Sequence, residues 1–375
     1  MKTAGLFAGI GGLELGLTRA GHQTDFVCEI SKPAREVLRR HLKNADLFGD
    51  IRDLADLPAN IDIVAAGFPC QDLSQAGATA GISGARSGLV NEIFRLAKKR
   101  RPRWIVLENV PFMLRLADGA AMLHVVNSLE NLGYRWAWRV VDAFGFGVPK
   151  RRERVFIVAS TEGDPADVLL VDDAVLPRPD SRIGTIAHGF YWTEGRGGLG
   201  WAANAVPTLK NGSTVGIPSP PAILLPNGRI IKPDLRDAER LQGFPEDWTL
   251  PTEKVAPKQA RWGLIGNAVC VPIATWIGRR LADPGTYDRR RDSSMLKGDK
   301  LPRAARFDGS KRMVVDIGPD PIGLAPPSLT SFLRYPGVPL SARATAGFLD
   351  RTRRSTLHFQ PGFLKAVEAH LAAHT

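Results

Sequence analysis

The first 160 residues alternate between short apolar runs and longer amphipathic stretches. Thr3–Phe7, Asp25–Glu29, Ile61–Ala66, Trp104–Glu108, Ala137–Val141 and Val155–Ala159 have the length and apolar, β-branched character of strands. Between them, Leu13–Ala20, Pro33–Leu42, Leu89–Arg100 and Gly119–Leu132 fit helices. Pro33 falls in a first helical turn, where its missing N–H does no harm. Such alternation predicts an α/β fold, a mostly parallel sheet with helices on both faces. The last two strands are joined by the loop Asp142–Arg154, too short for a helical crossover, and are therefore predicted to be antiparallel.

From about Ser160 the alternation stops. Residues 161–235 are rich in Gly and Pro and read as a small, irregular β-rich domain that presents loops. Asn227-Gly228 between two apolar runs predicts a hairpin over Ile223–Ile231. Residues 236–283 return to helical or α/β character and complete the first domain, while 284–375 form a basic C-terminal extension. The expected division is thus 1–160, 161–235, 236–283 and 284–375.

Composition narrows the possible functions. The 375 residues are 44% hydrophobic, ordinary for a globular protein. No apolar stretch is long enough to span a bilayer, and the N-terminus lacks a signal-peptide pattern. Three cysteines, Cys28, Cys70 and Cys270, are too few for a disulfide framework or a zinc cluster, so no metal is expected and a reducing cytoplasm is. A net charge of +12 implies a polyanionic partner, most plausibly nucleic acid. Residues 284–375 hold 15 Lys/Arg against 8 Asp/Glu, a surplus of 7. That extension is expected either to touch DNA phosphates or to pack on the main domains through Phe332, Leu333, Phe348 and Phe363.

The candidate chemistry sits where predicted strands end. Phe68-Pro69-Cys70-Gln71 follows the third strand, at the sheet edge where ligands of α/β folds collect, so Cys70 is a candidate nucleophile. Phe7-Ala8-Gly9-Ile10-Gly11-Gly12 separates the first strand from the first helix, and its glycines let the backbone approach a ligand. A dinucleotide fingerprint would need glycine at position 14. Glu14 stands there instead, unsuited to a nearby pyrophosphate, which excludes a nicotinamide-dependent oxidoreductase. A nucleoside cofactor without phosphates fits better. Glu29 can accept hydrogen bonds from ribose hydroxyls and Asp50 can take an adenine amino group; S-adenosyl-L-methionine satisfies all three features. Glu108 ends the fourth strand, where a partly desolvated carboxyl can engage a ring nitrogen as an acid. Arg152 and Arg154 fall on one side of an extended segment. A cysteine, a glutamate and paired arginines suit thiolate addition to a pyrimidine ring.

Phe7–Gly12, Gly67–Gly77, Glu108–Val110, Lys150–Arg154, Arg236–Pro245 and Gly266–Val269 occur in one order across residues 3–282. In that ordered set the sequence resembles the DNA (cytosine-5)-methyltransferase family. The resemblance implies that Cys70 attacks cytosine C6, with Glu108 at N3, Arg154 at O2 and Arg152 beside it. It implies S-adenosyl-L-methionine as cofactor, held by Phe7, Glu29, Asp50 and Asn267 with Gly9, Gly11, Gly12, Ile51, Pro69 and Val269. Two departures from the family pattern are Lys150, where Gln is usual, and Leu73, where Phe is common.

The faces of a stacked cytosine are closed to a thiolate, so the target base is expected to flip out of the helix. The segment Gln71–Gly88, with Gly77, Gly81, Gly84 and Gly88, is suited to close over it. DNA contacts are expected from Gln71, Ser74 and Arg86, and from Arg182, Arg196, Thr208, Lys210, Asn211 and Arg229 in the loop-rich domain. The resemblance further implies double-stranded DNA as substrate and a bacterial restriction–modification setting with a restriction endonuclease of the same specificity. Two other readings are an RNA cytosine-5 methyltransferase and a non-catalytic DNA-binding regulator. The separate loop-rich segment argues against the first, and the intact Cys70, Glu108 and Arg154 against the second.

Overall fold

A computed structural model of the chain describes residues 1–69, 87–177, 181–194, 198–210, 212, 219–296, 298 and 300–374. The alternating part comprises β1 (Lys2–Leu6), α1 (Gly12–Arg19), β2 (Gln23–Cys28), α2 (Lys32–His41), β3 (Asp46–Phe48), β4 (Ile63–Gly67), α3 (Val90–Arg100), β5 (Trp104–Asn109), α4 (Ala120–Asn131), β6 (Arg135–Asp142), β7 (Glu153–Ser160) and the single turn α5 (Ala166–Leu169). The middle holds β8 (His188–Phe190), β9 (Ala202–Ala203), β10 (Ala222–Leu224), β11 (Ile230–Lys232), α6 (Leu235–Leu241), α7 (Ala260–Asn267) and α8 (Val271–Ala282). The C-terminal part adds β12 (Asp292–Ser294), β13 (Ala304–Phe307), β14 (Arg312–Val315), α9 (Leu329–Phe332), β15 (Val338–Pro339), α10 (Ala342–Arg353) and α11 (Phe363–Ala372).

These elements form two compact units, each built from separated stretches of chain. The first takes Met1–Asp142, Glu153–Val175 and Val269–Gly323; the second takes Ala143–Arg152, Leu176–Ala268 and Leu324–Thr375. The four-part division expected above differs in four places: residues 143–152 fall in the second unit, residues 161–175 fall in the first, and the two later parts are each divided. Residues 236–283 are shared between the units, with the break after Ala268. Residues 284–375 are not one extension but two pieces, one in each unit. The reason is burial: Val315 belongs to the first unit's interior, and Phe348, Phe363 and Val367, each with no exposed surface, belong to the second's.

The first unit is built on a sheet of ten strands among the described residues, ordered β12-β14-β13-β6-β7-β5-β4-β1-β2-β3. β1, β2, β3, β4 and β5 are mutually parallel. The central β1, β4 and β5 are almost wholly buried, as parallel strands covered on both faces are. β7 inserts antiparallel between β5 and β6, as the short Asp142–Arg154 connection requires. β13 and β14 continue from β6 antiparallel in turn, and β12 from β14. Seven of the ten strands therefore point one way: β1 to β6 and β14. Ser31 caps α2 through its hydroxyl at the Ala34 N–H, 3.5 Å away, and Pro33 sits in the first turn as expected. Gly16 lets α1 meet α8 closely, since a Cβ there would lie 2.3 Å from Ala274 Cβ.

In the second unit, five strands among the described residues form a sheet ordered β15-β11-β10-β8-β9. Its centre is the expected hairpin: Leu225 N–H donates to Arg229 O at 2.9 Å, and Gly228 takes a φ of 83° at the turn. α10 and α11 pack on this sheet, where Phe363 meets the rings of Phe190 and Trp201 edge-on at 5.1 and 4.9 Å.

Candidate active site

Strand order places the two glycine-containing loops side by side. The chain runs outward from β1 through β2 to β3, then returns to β4 and β5 on the other side of β1, so the switch point lies between β1 and β4. Leu6, just before Phe7, pairs with Ala66, and Gly67 pairs with Glu108. The Phe7–Gly12 turn, the segment leading to Cys70 and Glu108 thus leave three adjacent strands at one edge. Cys70 itself, with Gln71, Ser74, Arg86, Arg196 and Asn211, lies outside the described residues.

The turn after β1 is held open by backbone conformation. Phe7, Gly9 and Gly11 have φ of 53°, 57° and 84°, and a Cβ on Gly9 would meet nothing within 4 Å. Glu29, nearly buried at the end of β2, ties this turn to the next loop. One carboxylate oxygen accepts the Gly9 N–H at 2.8 Å and the other the Ser31 N–H at 2.7 Å. Burial raises its carboxyl's proton affinity, while these backbone donors oppose that shift. Each oxygen keeps a lone pair for a further donor. Asp50 binds its own loop: Oδ1 accepts both the backbone N–H and the Nε–H of Arg52 at 3.0 Å, and these bonds hold its carboxyl down to about 2. Ile51 is buried beside it, and Gly12 begins α1.

Beneath the turn lies Glu14, fully buried, with neither carboxylate oxygen hydrogen-bonded. Burial pushes its carboxyl up to about 8, with the Glu29 charge adding to the effect. It fits only because position 5 is glycine; a Cβ there would meet Glu14 Oε1 at 2.0 Å. Sequence reasoning used Glu14 to exclude a pyrophosphate but missed its burial, for which the apolar neighbours Leu13, Leu15 and Leu17 were the available signal.

At the second strand end, Arg154 Nε lies 3.0 Å from Glu108 Oε1, both side chains largely enclosed. The contact is electrostatic rather than a formed hydrogen bond, because Oε1 accepts none with acceptable geometry. Gly67 leaves room for this carboxyl, since a Cβ there would lie 3.4 Å from Glu108 Oε2. Asn109, which the sequence did not single out as a site residue, fixes the approach to Cys70: its Nδ2 donates to Phe68 O at 3.4 Å and its Oδ1 accepts the Val110 N–H at 2.8 Å.

Arg152 has other partners than Arg154. It is almost wholly buried in the second unit, donating to Gly266 O and Ala268 O, both at 2.9 Å, and to Leu209 O at 3.5 Å. Alternation along an extended segment is thus not enough to make the two arginines act together. Lys150, fully buried, donates to Gln242 Oε1, and Gln242 Nε2 donates in turn to Ile265 O at 2.6 Å. Asn267 is exposed at the end of α7, while Val269 is buried just beyond it and Pro69 is half-buried before Cys70.

The described recognition candidates are all in the second unit. Arg182 and Arg229 are exposed, and Thr208 Oγ1 donates to Arg151 O at 3.1 Å. Lys210 lies 3.1 Å from Glu194 Oε1 and 3.8 Å above the Tyr191 ring centroid. Among the described residues, no group of His, Cys, Asp and Glu could hold a metal ion, and no helix is long and apolar enough to cross a membrane.

A family model described as C-5 cytosine-specific DNA methylase matches residues 1–189 and 180–283. The Type II methyltransferase M2.BsuMI of Bacillus subtilis (strain 168) is 45% identical, covering 98% of this chain and 97% of its own. Type II methyltransferase M.NlaX of Neisseria lactamica is 32% identical over 75% of this chain and 96% of its own. Among solved structures, the S. pombe Dnmt2 methyltransferase aligns with a TM-score of 0.55 at 16% identity, covering 76% of this chain and 98% of that one, a likeness of fold.

Proposed function

This chain belongs to the C-5 cytosine-specific DNA methylases, and from that premise we propose how its residues divide the work of a DNA (cytosine-5-)-methyltransferase. The Cys70 thiolate adds to C6 of a cytosine that has left the duplex stack. Glu108 hydrogen-bonds N3 and Arg154 the O2 carbonyl, so that charge gathering in the ring is met at both positions. Addition makes C5 nucleophilic; once C5 carries the methyl group it loses its proton, and Cys70 leaves as C5–C6 unsaturation is restored. The observation that carries this reading is the Gly67–Glu108 register, which sets the carboxyl beside the segment leading to Cys70 while Oε1 keeps an unused acceptor site next to Arg154.

S-adenosyl-L-methionine fits the first strand end. The open, left-handed turn at Gly9 admits a ligand against the backbone, and Glu29 is pre-aimed by two N–H donors with acceptor capacity left for ribose hydroxyls. Phe7, Gly11, Gly12, Asp50, Ile51, Pro69, Asn267 and Val269 complete the set we assign to it. When bound, the cofactor supplies a sulfonium-activated methyl group. Arg152, by holding the Gly266 and Ala268 carbonyls, fixes the backbone on both sides of Asn267.

Relatives that are Type II methyltransferases support a modification enzyme acting on duplex DNA in a bacterial cytoplasm, beside an endonuclease of the same specificity. Sequence reading falls to the second unit, through Arg182, Arg196, Thr208, Lys210, Asn211 and Arg229, with Gln71, Ser74 and Arg86 next to the flipped base. Cys70→Ser tests the chemistry. It should abolish methyl transfer with DNA binding retained, because a hydroxyl is far less ionised than a thiol near neutral pH. Duplex containing 5-fluorocytosine should trap wild-type enzyme as a complex stable to denaturing electrophoresis, since fluorine does not leave as a proton does. Turnover by Cys70→Ser, or an active wild-type enzyme that forms no trapped complex, would refute the addition mechanism.

A further inference from the structure

We infer that residues 324–375, beyond the stretch matched by the family model, belong to the apparatus that reads the DNA sequence, with Arg351 as its positioning residue. The inference rests on the recognition role proposed for the second unit. Its basis is a clamp between α10 and the base of the loops that carry the candidate DNA contacts. Arg351 Nε donates to Glu194 O at 3.0 Å, and one terminal nitrogen donates to Trp192 O at 2.9 Å. A guanidinium is a rigid planar fork, so two bonds to carbonyls two residues apart set the path and twist of that segment together.

The clamped segment is itself stitched to a second one. Trp192 Nε1 donates to Pro220 O at 2.9 Å, and the buried hydroxyls of Thr193 and Ser219 meet at 2.6 Å. Tyr191 Oη donates to Thr208 O at 2.7 Å, and the Glu194 carboxylate holds Lys210 at 3.1 Å. Residues 191–194, 208–210 and 219–220 are therefore tied into one base, and this base carries Thr208 and Lys210. Arg351 grips it from a helix whose own anchorage is separate: Phe348 and Leu349 already bury α10 against Phe190 and Leu224. The core holds the helix, while the guanidinium sets the loop base. Discrimination between base edges needs contacts positioned to within about 0.5 Å, which such a clamp supplies.

The test uses full-length Arg351→Ala and Arg351→Lys, with Lys210→Ala in parallel. Methyl incorporation from tritiated S-adenosylmethionine would be measured on a duplex carrying the site that bisulfite sequencing identifies, and on duplexes with single base-pair changes. For Arg351→Ala, the KM for the site should rise roughly 10- to 100-fold, the scale of charge-assisted hydrogen bonds lost, with preference over altered duplexes reduced. The kcat at saturating DNA should stay within about twofold, a split that general loosening of the fold would not produce. Arg351→Lys, which keeps the charge without the fork, should recover only part of the loss, and decides on the same readouts if the alanine variant does not fold. Unchanged KM and preference in a folded Arg351 variant overturn the inference. If Lys210→Ala alters preference in that case, only the role of Arg351 falls. If no variant alters it, the recognition role of the unit falls too.

Discussion

Ending the chain after Asp283 should remove the fold, not just a DNA contact. The cut deletes Val315, Leu329, Leu340, Phe348, Leu349, Phe363 and Val367, all buried. At about 1.5–3 kcal/mol per buried side chain, the loss is roughly 10–20 kcal/mol. Allowing about 40% for surface already hidden in a compact unfolded chain still leaves roughly 6–12 kcal/mol. A typical domain has only about 5–15 kcal/mol of stability in total. The cut also strips β13 from β6, exposing an edge strand that carries Trp136 and Trp138. Buried Arg139 loses the Gly318 carbonyl that its Nε reaches at 2.8 Å. The charge of the deleted segment is in part already used within the chain, as in Arg303–Glu153, Arg306–Asp292 and Arg312–Glu130 at 2.6, 2.6 and 2.7 Å. Expression of 1–283 beside the full chain, with soluble yield, a far-UV circular-dichroism melt and dye binding to exposed apolar surface, measures the outcome. We expect an insoluble or non-cooperative product. A monomeric 1–283 with a single sharp melting transition would refute the reasoning, and a lower salt slope of DNA binding in that product would make the segment a phosphate-binding accessory.

Glu108→Gln keeps a hydrogen-bonding group beside Arg154 but cannot act as an acid, so turnover should fall by roughly 100-fold or more. Calorimetry should find S-adenosylmethionine affinity nearly unchanged; an equal loss of that affinity would move Glu108 into the cofactor site. Glu14 should make stability depend on pH. Its folded carboxyl is pushed up to about 8 by burial, against an ordinary value of 4.5, so between these values the folded chain holds a proton that the unfolded chain has released. Stability should therefore fall as pH rises through that window, by up to about 1.4 kcal/mol per pH unit. Glu14→Gln should lack this slope in urea unfolding at pH 5, 6.5 and 8, and parallel pH profiles for the two proteins would refute it.

The parts of the fold legible in the sequence are those whose cause is local. Apolar runs marked β1, β4, β5 and the buried second half of β2, and the length of the Asp142–Arg154 connection decided the direction of β7. Asn227-Gly228 announced its hairpin because few other residues accept that turn. β3 escaped notice because three residues, Asp46-Leu47-Phe48, are too short to show a period. β12 was invisible for a different reason. Asp292-Ser293-Ser294 has no apolar residue and becomes a strand only because β14 supplies a partner from 18 or more residues later. Strands defined by a distant partner leave no local pattern to read.

The same distinction governs the site. Cys70, Glu108, Glu29 and the glycines of the first turn stand out in the sequence as candidates because each type has a narrow chemical use at a strand end. The arginines illustrate the opposite case. Alternation along Pro149-Lys150-Arg151-Arg152-Glu153-Arg154 pairs Arg152 with Arg154, yet Lys150 and Arg152 are buried with partners of their own and Arg154 is largely enclosed beside Glu108. What separates them is the partner each finds: a Gln242 amide for Lys150, the backbone carbonyls at 266 and 268 for Arg152, and the charge of the Glu108 carboxylate for Arg154. None of those partners is nearby in sequence; the nearest, Glu108, lies on another strand. Charge at these positions is therefore compatible with three different jobs, and only the folded chain assigns them. Arg351 follows the same logic from the other end of the molecule, since its partners at 192 and 194 precede it by more than 150 residues and are main-chain oxygens that every residue type offers.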